Sequence, residues 1–495
     1  MGVSIRRFTL IAAVAAAGLI AGGCGDHGGG TGPGASSLRL VYGDGVSDTV
    51  LYKPAQALVV EVRGENGSPA EGTVIRFEAL PVDSDNPYSP GVYVAPLTSP
   101  IFRTFVADSA DIRGRASVLI ELGSHAGPAR LVVSAPEFGL QDTARFTVLP
   151  GRAAHVMVQP RDTALYVGRA FQSRAAVTDR FGNPRPDPVT YGAIGSGLTI
   201  TPGGTITAGT SFARARFKAS AGGFADTGWV SVVPMGTVAA VQTTTFAGHD
   251  PGLVVFDLDG SGYRWVGPGG NSYNGAPAWS PSGATLVFGW NAGSLNWLYT
   301  TDLSGNEQSL LAPGDSGLTI VTWPAYSPDG ASIYFSGATT DNFAVWRASA
   351  TGADPRRLYA DPTGLAWRPS PSSDGTRLAI TIGNPSYVCV YTLASGSVSS
   401  WAVPGHMPRW SPVAETIAFV QQYGGPVSVV SSDGTGVRQV TPAGRSYEEE
   451  SLTWSSDGVW LVARASGTLE LINAATGATL PLGYATAFVE PAWKP

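Results

Sequence analysis

The chain has 495 residues and a net charge of −6, without the basic surface that nucleic acid demands. Charged residues make up 14% of it against a usual level of about 25%. Gly and Pro together fill 101 positions, and no long segment repeats its apolar residues at helical spacing. Composition therefore excludes a helical architecture and predicts an all-β, turn-rich protein.

The first residues read as an export signal. Arg6 and Arg7 precede an apolar stretch from Phe8 to Ile20, too short for a permanent membrane span, and Ala21-Gly22-Gly23-Cys24 follows. This resembles a bacterial lipoprotein box, although Ala21 stands where that family prefers Leu. The resemblance implies removal of residues 1–23 and lipidation of Cys24; an ordinary signal peptide with an incidental cysteine is the alternative. Gly25, in place of the Asp that retains some lipoproteins at the inner membrane, implies the outer membrane, facing periplasm or cell surface. Residues 24–36 form a Gly-rich tether. The second cysteine, Cys389, lies in the apolar run Tyr387-Val388-Cys389-Val390 and is expected in the core.

Residues 37–236 hold a weak internal repeat. Val62-Arg63-Gly64-Glu65-Asn66-Gly67-Ser68-Pro69 is echoed by Val177-Thr178-Asp179-Arg180-Phe181-Gly182-Asn183-Pro184, and alternating strands such as Leu58-Val59-Val60-Glu61-Val62 surround both. Two β-sandwiches in series are expected, over 37–150 and 151–236. The phrase resembles bacterial immunoglobulin-like (Big-type) domains, which implies spacers that set another module off a surface.

From residue 237 onward one phrase returns six times. It reads Pro277-Ala278-Trp279-Ser280-Pro281-Ser282-Gly283, then Pro324-Ala325-Tyr326-Ser327-Pro328-Asp329-Gly330, then Pro369-Ser370-Pro371-Ser372-Ser373-Asp374-Gly375. Pro408-Arg409-Trp410-Ser411-Pro412, Leu452-Thr453-Trp454-Ser455-Ser456-Asp457-Gly458 and Pro491-Ala492-Trp493 complete the set. A period of 39 to 47 residues predicts four-stranded propeller blades. Polar turns ending in Gly305, Gly352, Gly396, Gly434 and Gly477 mark the outer hairpin of each blade. Trp493 has an anchor without a following turn, and Asp257-Leu258-Asp259-Gly260 a turn without an anchor, so the two complete one blade. A six-bladed β-propeller over 237–495 follows, closed by pairing of its N- and C-terminal strands. The phrase resembles the TolB-type propeller repeat. The α/β domain that precedes the propeller in TolB has no counterpart here.

Motifs for chemistry are few. Five histidines show no zinc spacing, and no cofactor is expected. Asp257-Leu258-Asp259-Gly260-Ser261-Gly262 imitates the start of a calcium loop but has Pro268 at the twelfth position, so a plain turn is expected. Gly314-Asp315-Ser316-Gly317 resembles a protease nucleophile segment without its partners and reads as a connection between blades. Twelve tryptophans from Trp265 onward could stack on sugars; those in the repeat, with Trp290 and Trp460, are expected in the packing between blades.

One constellation remains. The Pro two places before most anchors is expected to begin the innermost strand, which puts the residues three and four before the anchor around one mouth of the channel. Thr322 with Trp323, Trp367 with Arg368, His406 with Met407, Glu450 with Ser451, and Glu490 occupy those places, against small residues at Gly275 and Ala276. The candidate binding residues are Trp323, Trp367, Arg368, His406, Glu450 and Glu490, as a concave polar-aromatic grip. TolB-type propellers receive partner proteins at such a mouth, and the resemblance points the same way. Tyr447-Glu448-Glu449-Glu450 adds local acidity or is a solvated loop. The expected function is non-catalytic binding of an envelope protein or glycan, with the membrane reached only through the lipid anchor. A polysaccharide lyase or hydrolase using Arg368, His406 and Glu450 is the alternative.

Overall fold

The computed structural model describes residues 35–83, 86–267, 277–292, 295–311, 317–339, 342–422, 424–448 and 452–495. They are almost entirely strands and turns. The chain divides into two compact units, one formed by the residues through Arg152 with Asp179–Pro184, the other by Ala153–Thr178 with Arg185–Pro495. Cys24, and with it the signal and most of the tether, lies outside the described residues.

In the first unit strict alternation in Val74–Ala79 and Arg115–Leu122 buries every second side chain, as one-face burial of a sheet requires. A four-stranded and a five-stranded sheet share one core that includes Val60, Phe77, Val94, Ile120, Leu131 and Phe146. Glu61, which alternation puts on the opposite face of its strand from Val60 and Val62, is only 2% exposed. Burial pushes its carboxyl up, but Arg63, Arg115 and Arg39, at 2.8, 3.2 and 2.9 Å, outweigh this and hold it below the usual range.

The second unit begins with three small sheets packed on one core around Val158, Ile206, Phe217 and Val230. Strands as short as Ala170–Gln172 and Leu198–Ile200, set among Gly195, Gly197, Gly203 and Gly204, divide this stretch into three sheets where two were expected.

Among the described residues six further sheets follow. In the first, Thr237–Gln242 pairs on one side with Gly252–Asp257 and on the other with Phe488–Trp493. The second to sixth start from Ala278–Trp279, Ile320–Tyr326, Ala366–Pro371, His406–Trp410 and Thr453–Trp454, and each adds its next strands by antiparallel hairpins. Each core cluster joins one sheet to the next: Leu253 and Phe288, Val287 and Phe335, Val345 and Ile380, Val390 and Phe419, Val429 and Leu461. Another joins Val462 and Leu471 of the sixth sheet to Val254 and Phe256 of the first.

The preceding small domain packs on that sixth-to-first junction. Ala164 and Val233 enter its core. The Tyr166 hydroxyl donates to the Gly236 carbonyl at 3.0 Å, and Ser231 Oγ donates to the Pro481 carbonyl at 2.6 Å. Asp162 lies so close to Gly483 that a Cβ there would meet its carboxyl carbon at 2.1 Å.

Candidate functional site

The repeated phrase is a set of geometric requirements. Ser327, Ser372 and Ser455 each donate to the aspartate two places on at 2.5 Å and accept the N–H five places on. The glycines that close these turns, Gly330, Gly375 and Gly458, all sit at φ 69°, in the left-handed region. Anchor tryptophans tie neighbouring sheets: Trp279 Nε1 donates to the Ala492 carbonyl at 3.0 Å and Trp454 Nε1 to the Arg409 carbonyl at 2.8 Å. Both bonds join each indole to the residue before the anchor of the preceding sheet, as expected of packing residues.

The prolines stand elsewhere than the sequence predicts. Pro324, Pro369, Pro408 and Pro491 lie inside their strands, at a register shift that recurs in each one. A bulge is one of the few strand positions that tolerates the missing N–H. The residue just before each of these prolines is left-handed: Trp323 at φ 47°, Arg368 at 56°, Met407 at 57° and Glu490 at 52°. For bulky side chains this costs about 1–3 kcal/mol each and persists only where the surroundings impose it. The bulge also displaces backbone N–H groups, which hydroxyls of adjacent sheets recover: Arg368 N donates to Ser336 Oγ at 2.7 Å, Trp410 N to Ser370 Oγ at 2.9 Å, Trp493 N to Thr453 Oγ1 at 3.2 Å.

Of these left-handed residues Arg368, Met407 and Glu490 turn inward instead of standing on an open rim, while Trp323 is half-buried. Arg368, His406 and Glu490 are 3%, 1% and 8% exposed, and Thr322 and Met407 are buried too. The Arg368 guanidinium lies 4.6 Å from the ring centre of Trp323 and 5.1 Å from that of Trp367, and the two indoles meet edge to face at 5.4 Å. Phe343 touches both, at 6.0 and 5.9 Å. Burial and then the charge of Arg368 push His406 down to about 4, so its imidazole is neutral at physiological pH. The structure thus brings together Trp323, Trp367, Arg368 and His406. Glu450 and Ser451, with Gly275 and Ala276, lie outside the described residues.

Beside this cluster is a cavity of about 170 Å³ reached by all six sheets. Its wall takes the residue before the anchor from each one: Ala278, Ala325, Ser370, Arg409, Thr453 and Ala492. Arg409 was missed as a site residue. Its Nε donates to the Leu452 carbonyl at 2.9 Å and its Nη1 to the Pro408 carbonyl at 3.2 Å, which fixes a cation at the wall. Alternation from the anchor Trp410 carried the signal, because neighbours along a strand face opposite sides.

The remaining candidates resolve simply. Asp257–Gly260 closes a turn through Gly260 N to the Asp257 carbonyl at 2.8 Å, and Asp259 accepts from Ser261. Among the described residues no group of three His, Cys, Asp or Glu side chains is placed to hold a metal. Pro268 and Gly314-Asp315-Ser316 lie outside the described residues. Cys389 is fully buried. Tyr447, read as part of a solvated acidic loop, is instead fully buried and donates to Glu470 Oε1 at 2.6 Å, while Glu448 pairs with Arg464. Trp460 packs in the core against Phe212, whereas Trp265 stays partly exposed, stacked on His249 at 6.2 Å.

The chain is similar to several known proteins. Over 161 residues, 29% of this chain, it is 24% identical to an uncharacterized protein of Agrobacterium fabrum, and the match spans about half (54%) of that curated relative. Among solved structures it is similar to TolB from Acinetobacter baumannii, at 18% identity and TM-score 0.45, over 62% of this chain and 83% of that one. An oligogalacturonate lyase in complex with manganese is similar over 50% of this chain and 73% of its own, at 16% identity and TM-score 0.34. Residues 237–456 match the TolB beta propeller domain family, so the C-terminal region carries a TolB-like β-propeller domain.

Proposed function

We propose that this is a non-catalytic recognition lipoprotein of the cell envelope. Cys24 carries the lipid, immunoglobulin-like sandwiches at 37–150 and 151–236 hold the propeller off the outer membrane, and the propeller grips a protein or glycan partner. In this reading residues 237–495 form a six-bladed ring closed by Thr237–Gln242 against Phe488–Trp493. The observation that carries it is a cavity lined by residues from each of the six sheets, with Arg409 fixed at its wall and the Trp323, Trp367, Arg368 cluster beside it. Its volume of about 170 Å³ is below the roughly 300–1,000 Å³ of sites that engulf a small molecule, so it suits one inserted side chain or terminus of a larger partner.

The test is affinity capture from solubilised envelope with the full chain as bait against its Trp323→Ala, Trp367→Ala double variant. A partner retained only by the native bait supports the reading; identical captures refute the placement of the site. A second reading, a polysaccharide lyase or hydrolase, is favoured by His406, held neutral beside Arg368, since a neutral imidazole can take a proton. Release from polygalacturonate by the native chain of unsaturated sugar, for a lyase, or of saturated reducing ends, for a hydrolase, lost in His406→Gln, would establish it.

A further inference from the structure

The junction between the small domain of residues 153–236 and the propeller leaves a groove of about 900 Å³, far larger than the central cavity. Its apolar wall is unusually open: Met235 is 80% exposed and Phe212 47%, although Phe212 also packs edge to face on Trp460 at 5.6 Å. Apolar side chains gathered on one concave face of a folded protein mark a contact surface more often than scattered ones do. The groove is also acidic. Asp257, Asp259 and Asp457 line it, each held by a neighbouring hydroxyl: Thr237 Oγ1 at 2.6 Å, Ser261 Oγ at 2.6 Å and Ser455 Oγ at 2.5 Å. Arg169 supplies a single positive charge. The field is felt inside the groove, where burial and then the charges of Asp259 and Asp257 push the Tyr166 hydroxyl up to about 12.

We propose that this groove docks a basic, apolar peptide segment of a partner, its lysine or arginine side chains facing Asp257, Asp259 and Asp457 and its apolar side chains lying on Phe212 and Met235. Charge decides against the other occupants. A second copy of a chain with net charge −6 and an anionic lipid surface are both repelled by an acidic wall. The volume accommodates a few residues, and an extended segment presents alternate side chains to different parts of the lining.

The test uses the full chain and a blocked hexapeptide alternating lysine and leucine, with glutamate–leucine and lysine–serine peptides as controls. The lysine–leucine peptide is expected to bind, more weakly as salt rises. Its affinity should fall by about tenfold in Asp259→Asn and likewise in Met235→Gln, and rise in Arg169→Glu. Asp259 and Met235 lie at the surface of a turn and a linker, and a circular dichroism spectrum identical to the parent's certifies the fold. Equal binding of the glutamate–leucine peptide, no response to the three variants, or no binding at about 1 mM overturns the proposal. Concentration-dependent dimerisation or binding to anionic vesicles that Met235→Gln abolishes would reassign the groove. Capture through the central cavity is read separately, by the Trp323, Trp367 variant, so either site can fail alone.

Discussion

The buried knot at Glu470 lends itself to a quantitative test. Its carboxylate is 1% exposed, receives the Tyr447 hydroxyl at 2.6 Å and Arg445 Nε at 3.0 Å, and Tyr447 is itself fully buried. Tyr447→Phe removes one oxygen and leaves almost no cavity, so its cost is that of a hydrogen bond to a charged acceptor, about 1.5–3 kcal/mol. Arg445 stays in place and limits the loss, which sets the expectation near 2 kcal/mol. All thirteen tryptophans lie in the second compact unit, so indole fluorescence during urea unfolding reports that unit alone. With an m-value of about 3 kcal/mol/M the midpoint should drop by about 0.7 M. In a Glu470→Gln background the same substitution should cost about 1 kcal/mol less, because the acceptor has lost its charge. A midpoint shift below about 0.2 M for Tyr447→Phe in the native background would refute the picture of a carboxylate that depends on this hydroxyl.

Three further outcomes are expected. His406 titrates near 4 in the folded state against an ordinary 6.5, so the native chain binds fewer protons between these values. Stability should fall as pH drops through that window, by up to about 1.4 kcal/mol per unit, and urea midpoints of His406→Gln should fall less steeply. Gly352→Ala should cost more than about 3 kcal/mol, since a Cβ there would lie 2.0 Å from the Leu310 carbonyl oxygen at φ 83°; Gly444→Ala, at φ 82° with nothing within 4 Å, should cost about 1–2 kcal/mol, and comparable urea midpoints for the two would contradict this. Cys389, whose thiol burial pushes up to about 12, should resist a thiol reagent at pH 8 until the chain unfolds, and rapid labelling of the native protein would show that the site opens.

The sequence made the strand order legible because each residue of the repeated phrase answers one local demand. Serine and aspartate build the turn, glycine supplies its positive φ, and tryptophan reaches a carbonyl of the neighbouring sheet. The direction of the residues before the proline was not legible. A left-handed conformation usually announces itself through glycine or asparagine, and here it is filled by Trp323, Arg368, Met407 and Glu490, which carry no such signature. Treating the proline as a strand start therefore placed these side chains at a rim, while the bulge sends Arg368 and His406 into the interior. Arg409 was readable by alternation and was overlooked because the phrase was taken as packing alone. The groove at Met235 could not be read from sequence, since Phe212, Met235 and Asp457 come together only through the docking of one domain on another.

The pairing of Val238 with Trp493 joins positions 255 residues apart, and it governs the order in which this molecule can be made. A chain synthesised from its N-terminus folds its early domains first, but the first propeller sheet must wait for its fourth strand until nearly all of the propeller has been made. Until then Thr237–Gln242 presents an unpaired edge, the kind of edge that recruits strands from other chains. The small domain has already been synthesised by that time and carries the surface, around Ala164 and Val233, on which the first and sixth sheets converge. It can serve during biogenesis as a built-in jig that holds the first sheet in position until its partner strand arrives.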